Sequence, residues 1–350
     1  MIILSERQLN ILHLLVKIYT ETGVPVGSKT LMNQGIKASS ATIRNDLAKL
    51  EELELIQKTH SSSGRIPSIK GYRFYVDHLM RPTEVSSHDI FQIRQLLNKQ
   101  YHATNEIIEA SAKILSDLTS YTAFSLGPEV KERKLTGFRI VPLNKNQLIA
   151  IIVTDQGYVE SQVFSIPESI TSEDIEKMIQ IINDRLVGES LLTVYHKLRT
   201  EIPLVLQKYF VNSTNVLYLF EEVFNQAFDD QVYISGGMNL LNSENVTDIA
   251  EFKSIYSLIS DTDQLTEILL PDSTGIEIKI GDEIENDLLL NMSLITAAYE
   301  VPNHGKGVIA LLGPTNMSYS KLHGLVTTMT TELSGHLDSY YRSLNDSISQ

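Results

Sequence analysis

The chain has 350 residues, a formal net charge of -14, 42% hydrophobic and 21% charged residues, and no cysteine. That length accommodates two or three globular domains, and the missing Cys excludes disulfides, thiolate metal sites and a Cys nucleophile. No stretch approaches transmembrane length and no charged leader runs into a continuous apolar segment, so a cytoplasmic protein without a membrane partner is expected.

The charge is unevenly distributed. Residues 1–80 hold 10 Lys and Arg against 7 Asp and Glu, whereas the remaining 270 hold 19 against 36. Such an imbalance attracts a polyanion to the amino-terminal end and repels it elsewhere.

In chain order, Ser5 with Gln8 predicts a capping box, and Leu9, Leu12, Val16 and Tyr19 form the apolar stripe of a first helix ending near Gly23. The segment Gly23 to Leu31 supplies a Gly and Pro turn and a Ser cap at Ser28 for a short second helix, which Gly35 closes. In SSATIRNDLAKLEEL, Ser39 to Leu53, the residues Ile43, Leu47 and Leu50 recur at helical spacing and face inward, under a cap from Ser39 or Ser40. The opposite side carries Ala41, Asn45 and Ala48, flanked by Thr42, Arg44 and Lys49. Small residues let such a helix approach a major groove, where Asn pairs with an adenine edge, Arg with guanine or phosphate, and Lys with phosphate.

Leu55 to Thr59 then reads as a strand, and Ser61 to Gly64 as a hairpin tip before Arg65 and Ile66. Pro67 lacks a ladder donor, so the second strand is a free edge or stops there. This is a wing: His60, Ser62 and Arg65 can reach the DNA backbone or an adjacent minor groove. Ordinary amphipathic helices and Ser-Gly loops account for each piece alone, but their order and spacing define a winged helix-turn-helix. The candidate DNA contacts are Ser40, Thr42, Arg44, Asn45, Lys49, His60, Ser62 and Arg65. In Gly71 to Asp77, Tyr72, Phe74 and Tyr75 are expected to bury against the wing as a packing helix.

Met80 to Asp89 reads as a linker, with helices resuming at Ile90 to Leu97 and Ile107 to Leu118. Leu135 to Leu143, Gln147 to Thr154 and Tyr158 to Ile166 predict antiparallel strands, and strand character returns at Val232 to Ser235, Ile276 to Ile280 and Val308 to Leu312. Between them, Pro167 to Asp230 is a helical insert. Its first helix is marked by Ile175, Met178, Ile179 and Ile182, with Thr171 or Ser172 as cap, and a second stripe is formed by Leu217, Phe220, Phe224 and Phe228. That second stripe fits either core packing or a dimer surface, where aromatics are enriched.

The run from Gly23 through Asp77 resembles the DNA-binding domain of the HrcA family of heat-inducible repressors. Three later blocks extend the resemblance over the whole chain: SGGMNLL at Ser235 to Leu241, Ile-Gly-x-Glu at Ile280 to Glu283, and GVIALLGPTNMSYSKL at Gly307 to Leu322. Among the departures, Glu54 stands where these proteins commonly carry Gly, and Asn316 where they carry Arg. The resemblance implies an α+β multidomain protein: a winged helix (1–80), a linker and connecting helix (81–102), and a GAF-like domain (103–166 and 231–345) interrupted by an inserted dimerisation domain (167–230). It further implies a homodimer on an inverted-repeat operator of the CIRCE type ahead of chaperone genes, released on heat stress, with the GroE chaperonin maintaining the active fold.

The alternative is a metabolite-responsive repressor whose GAF-like domain binds a small molecule. An enzyme is not expected, nor a cofactor or a metal: the nine His show no HxxxH spacing and no GxSxG elbow exists. Gly305, Gly307 and Ala310 resemble part of a dinucleotide fingerprint, but the strand follows these glycines instead of preceding them.

Overall fold

The computed structural model describes residues 4–59, 64–101, 103–128, 134–144, 147–155, 159–165, 171–206, 232–242, 249–271, 275–302 and 304–348. The multidomain α+β architecture expected from the sequence is present. Among the described residues no helix is long and apolar enough to cross a membrane.

The amino-terminal unit consists of α1 (Glu6–Thr22), α2 (Ser28–Asn33), α3 (Ser40–Glu52), the hairpin β1 (Ile56–Lys58) and β2 (Arg65–Pro67), and α4 (Ile69–His78). The capping box at Ser5 and Gln8 forms, with the Ser5 hydroxyl accepting from Gln8 N–H and the Gln8 side chain accepting from Ser5 N–H. At α2 the expected Ser28 cap is replaced. Gly27 occupies the cap position, while Ser28 is the first helical residue and its buried hydroxyl bonds Ser40 Oγ at 3.0 Å, tying α2 to α3.

Helix α4 differs from expectation in what it covers. Tyr72 and Tyr75 are buried, but Tyr72 packs on Tyr319 with ring centroids 5.7 Å apart and Tyr75 on His13 at 5.6 Å, so the aromatics face α1 and the carboxy-terminal domain instead of the wing. The reason is steric. At Gly71 the helix backbone approaches so closely that a Cβ there would lie 1.9 Å from the Leu55 carbonyl oxygen, leaving no room for rings on that side.

After an extended stretch come α5 (Ser87–Leu97) and α6 (Thr104–Thr119), then β3 (Thr122–Leu126). A five-stranded antiparallel sheet runs in the order β7 (Val232–Ser235), β3, β10 (Gly305–Pro314), β9 (Met292–Val301) and β8 (Ile276–Ile280). Both faces are covered, which is why β10 reads as an unbroken apolar run. Val308, Ala310 and Leu312 join the core formed with α9 (Ile249–Ser260) and α10 (Thr262–Leu269). Ile309 and Leu311 point the other way, against α6 and the long terminal helix α11 (Tyr319–Ile348). This second core is continuous with that of the winged helix through Tyr72, Tyr75, Met317 and Tyr319.

The strands β4 (Leu135–Pro142), β5 (Gln147–Thr154) and β6 (Val159–Ser165) form as expected but make a separate three-stranded sheet. Helix α7 (Ser172–Leu186) covers it, burying Met178 and Ile182, and α8 (Leu191–Leu206) follows. Asn183 fixes α7 to the edge strand by accepting from Phe138 N–H at 3.0 Å and donating to the Phe138 carbonyl at 2.9 Å. These strands pair with one another and not with the five-stranded sheet. Leu217, Phe220, Phe224 and Phe228 lie outside the described residues.

Candidate nucleic-acid interface

Helix α3 is held from beneath. Ile43, Leu47 and Leu50 are buried, each contributing about 1.5–3 kcal/mol of burial free energy. Beside them lies a buried carboxylate, Asp46, which receives Arg7 Nε at 2.6 Å and Gln8 Nε2 at 3.3 Å from α1. These bonds, across 39 and 38 residues, fix the rotation of α3 about its axis. Ser39, not Ser40, is the cap, accepting from Thr42 N–H at 3.1 Å.

This rotation exposes Ala41, Arg44, Asn45, Ala48 and Lys49. Arg44 and Asn45 have no hydrogen-bond or ion-pair partner among the described residues. The other candidates on the helix are engaged within the protein: Ser40 with Ser28, the Thr42 hydroxyl with Ser39 Oγ at 2.9 Å, and Lys49 with Glu52 at 2.8 Å. An exposed i, i+3 ion pair is weak, so Lys49 can exchange Glu52 for a phosphate.

The wing is set by the register Ile56 to Pro67, Gln57 to Ile66 and Lys58 to Arg65, and its second strand ends at Pro67. Arg65 also pairs on its other side with Val26, through backbone bonds of 2.8 and 2.9 Å, so the strand is not a free edge there. Gly64 permits this close approach, since a Cβ would meet Pro25 Cβ at 2.6 Å. Arg65 and Lys58 share Glu51, at 3.0 and 3.3 Å. His60 and Ser62, the remaining wing candidates, lie outside the described residues.

Gly27, Ser28 and Lys29 of the turn and α2, Arg44 and Leu47 of α3, and Lys58 and Arg65 of the wing line one open cavity of about 610 Å³. Four cations around one cleft suit a phosphate backbone. Sequence reasoning missed Lys29 and Lys58, because only the packing of three elements brings them beside Arg44; the local signal was their sign alone.

The fold and this face define a winged-helix DNA-binding regulator with an additional α+β portion. The family description "Winged helix-turn-helix transcription repressor, HrcA DNA-binding" matches residues 3–78, and "HrcA protein C terminal domain" matches residues 105–322. The chain belongs to the HrcA family of transcription repressors. It is 58% identical to the heat-inducible transcription repressor HrcA of Enterococcus faecalis (strain ATCC 700802 / V583), over 98% of this chain and 100% of that protein. It is 54% identical to the one of Tetragenococcus halophilus, over 98% and 99%. A crystal structure of a hypothetical protein at 2.2 Å resolution shares the fold with a TM-score of 0.61, 23% identity and coverage of 96% and 98%.

Proposed function

We propose that the protein represses chaperone operons by binding an inverted-repeat operator as a homodimer, releases it on heating, and depends on the GroE chaperonin to regain its active form. The observation that carries the DNA reading is the pair of side chains Arg44 and Asn45, without partners among the described residues, on the exposed face of α3, beside the cleft lined by Lys29, Lys58 and Arg65. Arg44 and Asn45 read base edges, and Lys29, Lys49, Lys58 and Arg65 engage phosphates. A two-fold dimer places two such helices in successive major grooves, about 34 Å apart. Among the candidate dimer residues are Leu217, Phe220, Phe224 and Phe228.

Footprinting on the region upstream of its own coding sequence, with sedimentation of the complex, tests this reading. Protection of both arms of an inverted repeat by two protomers is expected; failure to retard any inverted repeat at low ionic strength overturns it. The chaperonin step is tested by refolding heat-treated protein with and without GroE. Equal recovery of operator binding at every temperature removes that part of the proposal.

A further inference from the structure

A second cavity, of about 560 Å³, opens where the winged helix meets the carboxy-terminal domain, and it shares no lining residue with the DNA-facing cleft. Its volume falls within the range of about 300–1,000 Å³ typical of small-molecule sites. Asn10, His13, Lys17 and Glu21 of α1 form one wall, and His78 and Arg81, at and just beyond the end of α4, a second. The third comes from Ser318 and Ser320 at the start of α11.

The charge of this cavity is not balanced within the protein. Lys17 and Arg81 are close enough to His13 that both disfavour its protonation, after burial, which is the larger cause. Neither Lys17 nor Arg81 has an ion-pair partner among the described residues, and Glu21 is the lone carboxylate on the wall. Like charges gathered in a concave site repel one another until an anion enters. The cleft is also fixed in shape at its base: Thr83 N–H donates to the Ser320 carbonyl at 3.1 Å, the two hydroxyls bond at 2.7 Å, and Ser320 Oγ donates to the Arg81 carbonyl.

We propose that this junction binds a small phosphate-bearing ligand, with Lys17 and Arg81 neutralising its charge and His13, His78, Asn10 and Ser318 donating to its oxygens. A phosphate suits the site better than a single carboxylate, because it carries up to two charges and three terminal acceptors to meet cations arriving from separate walls. Since α1 and the start of α11 belong to different domains, bound ligand cross-links them and stabilises this arrangement of the junction.

The test uses the full chain titrated with inorganic phosphate, and separately with pyrophosphate, at constant ionic strength maintained with chloride. Isothermal calorimetry and thermal unfolding read the binding. Saturable binding with a raised unfolding midpoint is expected. Lys17→Gln/Arg81→Gln should weaken it by about tenfold or more, and Lys17→Gln or Arg81→Gln alone by severalfold. Lys29→Gln/Arg44→Gln, in the DNA-facing cleft, should leave it unchanged. Circular dichroism of each variant without phosphate verifies its fold. Absence of saturable binding, or binding lost only in the Lys29/Arg44 variant, overturns the proposal. Operator binding by phosphate-free protein is a separate measurement, so failure here and failure of the repressor reading are distinguishable.

Discussion

Arg73 of α4 and Glu283 beyond β8, 210 residues apart, are joined by two hydrogen bonds: Nε to Oε1 at 2.8 Å and Nη2 to Oε2 at 2.5 Å. Both partners are aimed by other bonds. Arg73 also donates to Asp77 at 3.0 Å and to the Ile278 carbonyl, while Glu283 accepts the Ile280 N–H at 2.8 Å. Burial opposes charge on Arg73, but its bonds to Glu283 and Asp77 prevail and hold the guanidinium pKa above its ordinary value. The Ile-Gly-x-Glu block is thus a clasp between the DNA-binding helices and the five-stranded sheet.

Opening the clasp should loosen the winged helix without unfolding it. The side chains are 29% and 35% exposed, so solvent screening holds the coupling to roughly 1 kcal/mol. Arg73→Gln, Glu283→Gln and the double variant, compared by urea denaturation, should show that coupling. Limited proteolysis in the segment between α4 and α5 should be faster in all three. Strictly additive single effects would mean the pair contributes no interaction of its own.

Asn45→Ala should relax base preference at one operator position by about 1–3 kcal/mol, leaving affinity for unrelated duplexes nearly unchanged. Lys29→Gln should behave in the opposite way, weakening all duplexes alike and reducing the slope of log affinity against log salt by about 1 per protomer. Competition binding with single-position operator variants at several salt concentrations separates the two. If both variants gave one pattern, the division between base reading and phosphate contact would be wrong.

Glu54 adopts φ 60°, a left-handed conformation that costs any residue with a Cβ and suits glycine. Glycine at this position, as the family resemblance implies, would adopt that conformation without the penalty. Glu54 retains some compensation: Lys70 bonds its carboxylate at 2.9 Å and holds its pKa below the ordinary range, but in an exposed pair. Glu54→Gly should therefore raise the thermal midpoint by a few degrees, whereas Lys70→Ala in the natural background should change it little. A lower midpoint for Glu54→Gly would place the value of the ion pair above the backbone strain.

What the sequence revealed depended on how local the cause was. The Ser5 and Gln8 box, the inward trio Ile43, Leu47 and Leu50, and the stop at Pro67 are each determined within a few residues. The burial of Asp46 has no local signal, because its partners, Arg7 and Gln8, lie on another helix. Strand β3, TAFSL, escaped pattern reading because its burial comes from β10 and β7 on either side and from helices above and below. Strands β4 to β6 were legible as strands, but the sheet they joined was not, since membership depends on edges brought together by the whole fold. The three blocks that carried the family resemblance prove to be joints. Besides the Glu283 clasp, Asn239 in the first block bonds the Tyr121 carbonyl and Ser116, and Tyr319 in the last bonds Ser293 at 2.8 Å.

The histidines at the domain seams make stability depend on pH. Burial lowers the pKa of His13, His323 and His336, with Lys17 and Arg81 adding to the effect at His13. His13 packs on Tyr75, His336 has its ring 6.5 Å from Tyr101, and His323 lines the cleft that also holds Arg73 and Glu283. In the unfolded chain these imidazoles take up protons near pH 6.5, whereas in the folded chain they do so only at lower pH. Between those limits the unfolded state binds more protons, so folding stability must fall as pH is lowered through about 6.5 and level off above about 7.5. Urea midpoints at pH 7.5 and 6.0 should differ in that direction, and His13→Gln/His323→Gln/His336→Gln should flatten the difference. Equal midpoints in the natural protein, or an undiminished slope in the triple variant, would show that these three side chains do not govern it.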